Sequence, residues 1–206
     1  MPPGSLLERQ SAALRDALDH LAREGVALLE WDAIGEAERS ALRGYFRNEV
    51  FPQLTPRAIT VSPGHPFPQV PALSLAFAVV LGGEGLPEHY AYLRIPDDLP
   101  RFLPVPGSRH LLPIEELVRA ELAGLYPDRQ VAGGWLFRIT RTSDLETDEE
   151  QSGNLLQAIE ESVGRRAANP IVRVEVERGM PPVLRDLVLD ELRREPGGAS
   201  GGCGDH

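Results

Sequence analysis

ALSLAFAVVL (Ala72–Leu81), GGEGLPE (Gly82–Glu88) and HYAYLRI (His89–Ile95) form the stretch that decides the fold. The first run is apolar and bounded by turn residues, so it reads as a buried strand. The last run reads as its partner. The glycine- and proline-bearing segment between them is a turn signal, which makes the pair a hairpin.

Two further runs extend this nucleus into a sheet. WLFRITR (Trp135–Arg141) alternates apolar and polar side chains, as a half-buried strand does. IVRVEVE (Ile171–Glu177) is the cleanest period-two run in the chain. HLLPIEELVRAELAGLY (His110–Tyr126) reads as a short strand and then a helix, after a connection carrying Pro96, Pro100, Pro104 and Pro106.

Helices surround the strands. Residues 5–29 read as a helix opened by a Ser5/Glu8 capping box, with Leu7, Leu14, Leu18 and Leu21 on one face and Gly25 as a stop. Gly35–Val50 reads as a second helix, burying Leu42, Tyr45, Phe46 and Val50 and ended by Pro52 and Pro56. Asp148–Ala167 reads as another, with Leu155, Leu156, Ile159 and Val163 inward. Pro181 and Pro182 stand where a helix start tolerates proline, ahead of Leu184, Leu187, Val188 and Leu192. The tail from Pro196 is too glycine-rich to bury a core and reads as disordered. The expected class is α+β: an N-terminal helical pair, then a mixed or antiparallel sheet packed with helices.

Composition excludes several activities. The 206 residues contain no lysine, so neither a Walker A phosphate loop nor a Schiff-base lysine is available. The single cysteine, Cys203, excludes an intrachain disulfide and a cysteine zinc cage. A net charge of −10 argues against nucleic acid as a main partner. No apolar run approaches the ~20 residues of a membrane span, and MPPGSLLERQ lacks the features of a secretory signal. A soluble cytoplasmic protein is the expectation.

Candidate sites are few. His65, between Gly64 and Pro66, reads as a turn histidine bonded to backbone rather than a general base. His20, His89, His110 and His206 are scattered without metal-ligand spacing. Asp144, Glu146 and Asp148 imitate positions 1, 3 and 5 of a calcium loop, but Glu149 and Leu155 replace the required glycine and bidentate glutamate. These acids fit a helix N-terminus instead. Gly82, Gly83 and Gly85 do not make a dinucleotide-binding fingerprint, and Gly107-Ser108 lacks the nucleophile-elbow pattern. Arg138 and Arg141, in FRITR, are the candidate polyphosphate contacts, since two arginines near a strand end can grip phosphate bidentately; an exposed strand face carries the same pattern and is the base expectation.

Five blocks stand in an order and spacing that resemble bacterial polyphosphate kinases. They are YFRNEVFPQLTP (Tyr45–Pro56), GHPFP (Gly64–Pro68) leading into LSLAFAV (Leu73–Val79), IPDDLPRFLPVPG (Ile95–Gly107), LFRITRTSDLETDEE (Leu136–Glu150) and VRVEVERGMPPVL (Val172–Leu184). The resemblance covers about residues 5–195. It implies a partial N-terminal helical domain over 5–50, the family's middle or head domain over 51–195 and a Gly-rich tail over 196–206.

The resemblance further implies reversible transfer of the terminal phosphate of ATP to polyphosphate, through a phosphohistidine, with magnesium and a basic tunnel. It implies that the domains carrying the phosphorylated histidine and the tunnel arginines are not in this chain. None of the five histidines stands in a matching context. Ala72 and Ala76 occupy positions where the family pattern shows asparagines. The chain is therefore expected to supply scaffold, dimer contacts and tunnel mouth, to bind no cofactor itself and to have no catalytic or metal-ligating residue. Expected partners are a second copy or a polyphosphate kinase catalytic half, with ATP and polyphosphate bound only in the complete enzyme, and no nucleic acid or membrane. Two alternatives stand beside this: a non-catalytic module that binds or regulates full-length polyphosphate kinase, and a gene remnant.

Overall fold

The computed structural model describes residues 3–54, 57–59, 75–82, 89–141 and 171–193. The expected helix at 148–167, His65, the acidic run at 144–148, Gly83, Gly85 and the tail lie outside the described residues. The chain falls into two compact units, one made of residues 1–53 and 98–124, the other of 54–97 and 125–206. The first unit is discontinuous in sequence: compactness groups 98–124 with the leading helices.

In the first unit, helix α1 runs Pro3–Arg23 and not the expected 5–29: it ends sooner, and it starts ahead of Ser5, which lies inside the helix instead of capping it. Gly25 stops it at φ +77, a conformation that glycine adopts at little cost. Val26 N–H donates to Leu21 O (2.9 Å) and Gly25 N–H to Ala22 O (3.0 Å), the paired bonds of a Schellman cap. The following residues extend instead of coiling. Leu29 N–H reaches Leu111 O, and Leu111 N–H reaches Ala27 O, so this segment lies alongside β5 (Leu111–Pro113). On the leucine stripe of α1, Leu14 is 59% and Leu21 45% exposed, while Leu18 is half-buried.

Helix α2 (Glu36–Tyr45) widens into a π-helical turn at Phe46–Val50 and tightens into a 3-10 turn at Phe51–Gln53, so Pro52 lies inside the coil and not at its end, the place expected for it. Leu42, Phe46 and Val50 are buried, as their spacing requires, while Tyr45 is only half-buried. β4 (Phe102–Pro104) and β5 form an antiparallel hairpin. Helices α3 (Ile114–Ala120) and α4 (Leu122–Leu125) follow, and Ile114, Leu117 and Val118 are buried.

The second unit is built on a five-stranded antiparallel sheet of order β1-β3-β2-β6-β7. Its strands are β1 (Arg57–Ile59), β2 (Leu75–Leu81), β3 (His89–Arg94), β6 (Val131–Arg141) and β7 (Ile171–Val176). β2 is central, and side chains on both of its faces are buried, which is why it lacks alternation. One face joins Ala76, Ala78, Val80, Tyr92, Phe137 and Ile139 to Leu184 and Val188 of helix α5 (Pro182–Arg193). Arg185 N–H bonds Pro181 O, so Pro182 occupies the first helical position, where its missing N–H is harmless. On β6, the Trp135 indole lies across Gly133, where any side chain would collide with it.

β7 departs from clean alternation. The β6–β7 ladder shifts register between Thr140 and Arg141, so Arg141 pairs with Ile171 and Thr140 with Arg173. The bulge skips Val172, leaving it 60% exposed, and turns Ile171 onto the same core as Val174. No helix among the described residues is long and apolar enough to cross a membrane.

Candidate functional site

The β6–β7 register builds the site. Arg138 pairs directly with Glu175, and the next cross-strand pair, Thr140 with Arg173, presents its side chains on the same sheet face. Arg138 donates from Nε (2.9 Å) and Nη2 (2.6 Å) to one oxygen of Glu175. Arg173 Nη2 donates to the other oxygen at 2.7 Å. One carboxylate therefore bridges two guanidiniums, leaving the group with a net charge of about +1. The side chains of Arg138 and Arg173 are each 42% exposed and that of Glu175 is 31% exposed. Pairs this wet add little stability, ~1 kcal/mol or less each. Their effect is to hold two cationic forks in one orientation.

Arg141 ends β6, and its side chain lies outside the described residues. The structure thus joins Arg138 to Arg173 and Glu175, two residues that sequence reasoning passed over. A signal was present: FRITR and VRVEVE each place charge between apolar neighbours. The pairing register that brings the charges together is not contained in either run.

The described histidines, His20, His89 and His110, are backbone-bonded or exposed. His20 Nδ1 bonds the Asp16 carbonyl one helical turn back, at 2.6 Å. His110 Nδ1 accepts the Ala27 N–H at 3.1 Å, fixing its proton on Nε2. His89 is exposed at the start of β3. Gly107, at φ +71, and Ser108 shape the β4–β5 turn: the Ser108 hydroxyl donates to Val105 O and accepts from His110 N–H. Among the described residues no group of three or more His, Cys, Asp or Glu is placed to hold a metal ion.

A separate polar feature is Tyr126. Its hydroxyl is buried without a hydrogen-bond partner among the described residues, and burial pushes its pKa up to about 12. The folded state disfavours the phenolate. Stability is therefore retained below the ordinary value of 10.0 and declines as the pH rises from there toward 12. Tyr126→Phe is expected to leave stability at pH 7 unchanged or slightly higher, because it removes an unpaired hydroxyl. It is also expected to flatten the alkaline decline. Urea midpoints at pH 7 and at pH 11 provide the check, and an equal decline in both proteins would contradict this account.

An antiparallel α+β sheet module whose exposed margin carries a clamped arginine pair is the class of protein that this fold and site define. Residues 37–198 match the family described as the polyphosphate kinase middle domain. The chain is 39% identical over 190 residues to the polyphosphate kinase of Streptomyces coelicolor, covering 91% of this chain and 25% of that protein. It is 36% identical over 184 residues to that of Thermosynechococcus vestitus, covering 85% and 25%. The crystal structure of polyphosphate kinase from Porphyromonas gingivalis superposes with a TM-score of 0.66 at 20% identity, over 88% of this chain and 26% of that one. The chain belongs to the polyphosphate kinase family, through its middle domain. It spans about a quarter of the length of the curated relatives it matches.

Proposed function

We propose that this chain acts as the middle-domain scaffold of a polyphosphate kinase, in the reversible transfer of the terminal phosphate of ATP to polyphosphate. The observation that carries the reading is the match of residues 37–198 to the middle domain alone, within relatives about four times longer. Phosphoryl transfer depends chiefly on positioning and charge neutralisation, and a rigid sheet margin bearing arginines suits both. In this reading the bond-making groups come from another polypeptide or segment, and Arg138 and Arg141 are the candidate contacts to polyphosphate near the tunnel mouth.

A second reading, a module that binds or regulates full-length polyphosphate kinase, is favoured by one observation. Leu6, Leu14 and Leu21 of α1 are exposed on a 21-residue helix, an apolar surface of the kind that docks on a partner.

One experiment separates the two. The 206-residue chain is incubated with ATP and magnesium, alone, with a polyphosphate kinase lacking the matching quarter, and with the intact enzyme. The scaffold reading expects no synthesis alone and recovery with the deleted enzyme. Steady synthesis by the chain alone, or no gain on mixing, overturns it. Co-elution with intact enzyme and altered product length, without recovery of the deleted one, selects the second reading.

A further inference from the structure

We infer that Arg138, Glu175 and Arg173 form a binding site for condensed linear phosphate, in which the two guanidiniums grip the polyanion and Glu175 is the built-in competitor that sets its affinity. The choice of ligand class rests on the function proposed above; the site itself rests on geometry.

Three observations carry it. Arg138 uses its Nε and Nη2 on Glu175, and Arg173 uses its Nη2, so donors of both guanidiniums remain unengaged among the described residues. Both side chains are 42% exposed, so an anion can reach them without unfolding anything. The two cations lie on adjacent cross-strand pairs of one sheet face, giving a row that a chain of repeated anionic groups can follow.

A compact dianion needs only one such fork. A polymer gains from two forks held at fixed separation, because the second grip is intramolecular once the first has formed. The carboxylate between them has a double effect. It orients both guanidiniums in advance, which lowers the ordering cost of binding. It also cancels one of the two positive charges and competes for their donors. A single-charge change at Glu175 should therefore move affinity in the opposite direction from changes at the arginines.

The test is equilibrium binding of the full 206-residue chain to long-chain inorganic polyphosphate across a salt series, with ATP and single-stranded RNA as parallel arms. Combined Arg138→Gln and Arg173→Gln is expected to weaken polyphosphate binding about tenfold. The salt slope should shrink by about 0.7 for each phosphate that the two arginines had neutralised. Glu175→Gln is expected to tighten binding about threefold or more, a gain that misfolding cannot produce. Arg185→Gln removes one positive charge from α5, where Arg185 pairs with its neighbour Asp186, and is expected to leave binding near wild type, whereas Arg138→Gln or Arg173→Gln singly already weakens it.

No polyphosphate binding by the wild-type chain overturns the inference. So does an equal weakening by Arg185→Gln and the β6–β7 variants, or weaker binding by Glu175→Gln. ATP or RNA bound as tightly as polyphosphate, with the same response to the variants, overturns the assignment to a condensed phosphate chain. Failure of synthesis on mixing with the deleted enzyme would remove the scaffold function and leave this direct binding measurement standing.

Discussion

Phe137→Ala is expected to destabilise the second unit by about 3–5 kcal/mol, the range for emptying a buried aromatic position. Phe137 is 2% exposed in the middle of β6, between β2 and β7. Its ring lies 5.7 Å from that of Tyr92 on β3, and the same cluster contains Leu184 and Val188 of α5. Truncation removes the group shared by three strands and a helix. The neighbours are held by ladder hydrogen bonds and cannot collapse into the space. A cost of this size is a large part of the ~5–15 kcal/mol that holds a typical domain together.

The chain has two tryptophans, one in each unit, which makes the measurement direct. Trp135 packs against the affected cluster, so urea unfolding followed by its fluorescence in a Trp31→Phe background reports on the second unit. Phe137→Leu keeps most of the volume and is expected to cost ~1.5 kcal/mol or less. An alanine cost below about 1 kcal/mol would show that this cluster is not the core of the unit.

Trp31→Ala is the second large effect, expected to cost the first unit ~2–4 kcal/mol. Trp31 opens a short 3-10 turn at Trp31–Ala33, and its indole serves as a platform. The guanidinium carbons of Arg39 and Arg43 lie 5.7 and 5.6 Å from its ring centroid. Arg39 Nε also donates to the Trp31 carbonyl, and the Trp31 N–H donates to Glu116 on α3. Arg43 continues the network to Glu36 at 2.9 Å and to Glu121 at 3.2 Å. One residue thus ties the leading segment to α2 and to residues 116–121.

Removing the indole leaves both guanidiniums without their platform and exposes the surface beneath it. Hydrogen exchange at the α2 and β5 amides should accelerate. Trp135 fluorescence, then the sole indole signal, should show the second unit unchanged. A double-mutant cycle with Arg43→Met should give a coupling of ~0.5–1 kcal/mol. Zero coupling would reduce the ring contact to coincidence.

The elements visible in the sequence are those whose signals are local. The hairpin of β2 and β3 follows from an apolar run, a glycine-rich turn and a second run, and its pairing from Ala76–Arg94 through Leu81–His89 is regular. Gly25 marks the end of α1 because only a left-handed residue closes that cap. Pro182 marks the start of α5 for the converse reason. The buried side of α2 follows from helical spacing.

Elsewhere a distant partner overrides the local pattern. The segment after Gly25 has nothing in its own composition that says strand; it is extended because Leu111 lies beside it. β7 alternates in sequence and yet turns Ile171 inward, because pairing with β6 skips Val172 and puts a bulge in β7 itself. The Trp31 platform joins groups as many as 85 positions apart, beyond any motif.

The amino-acid sequence by itself determined the α+β class, the glycine stop after α1, the proline start of α5, the absence of lysine chemistry and, through five ordered blocks, the family. Each of these depends on residues close together or on composition. Only the tertiary structure decided that Arg138 meets Glu175 and Arg173, and that 98–124 groups with the leading helices. The physical reason is that register and long-range packing are chosen collectively. A strand's face is a local property, but its neighbour is selected by the whole core, and a one-residue slip would have sent Arg138 to the opposite side.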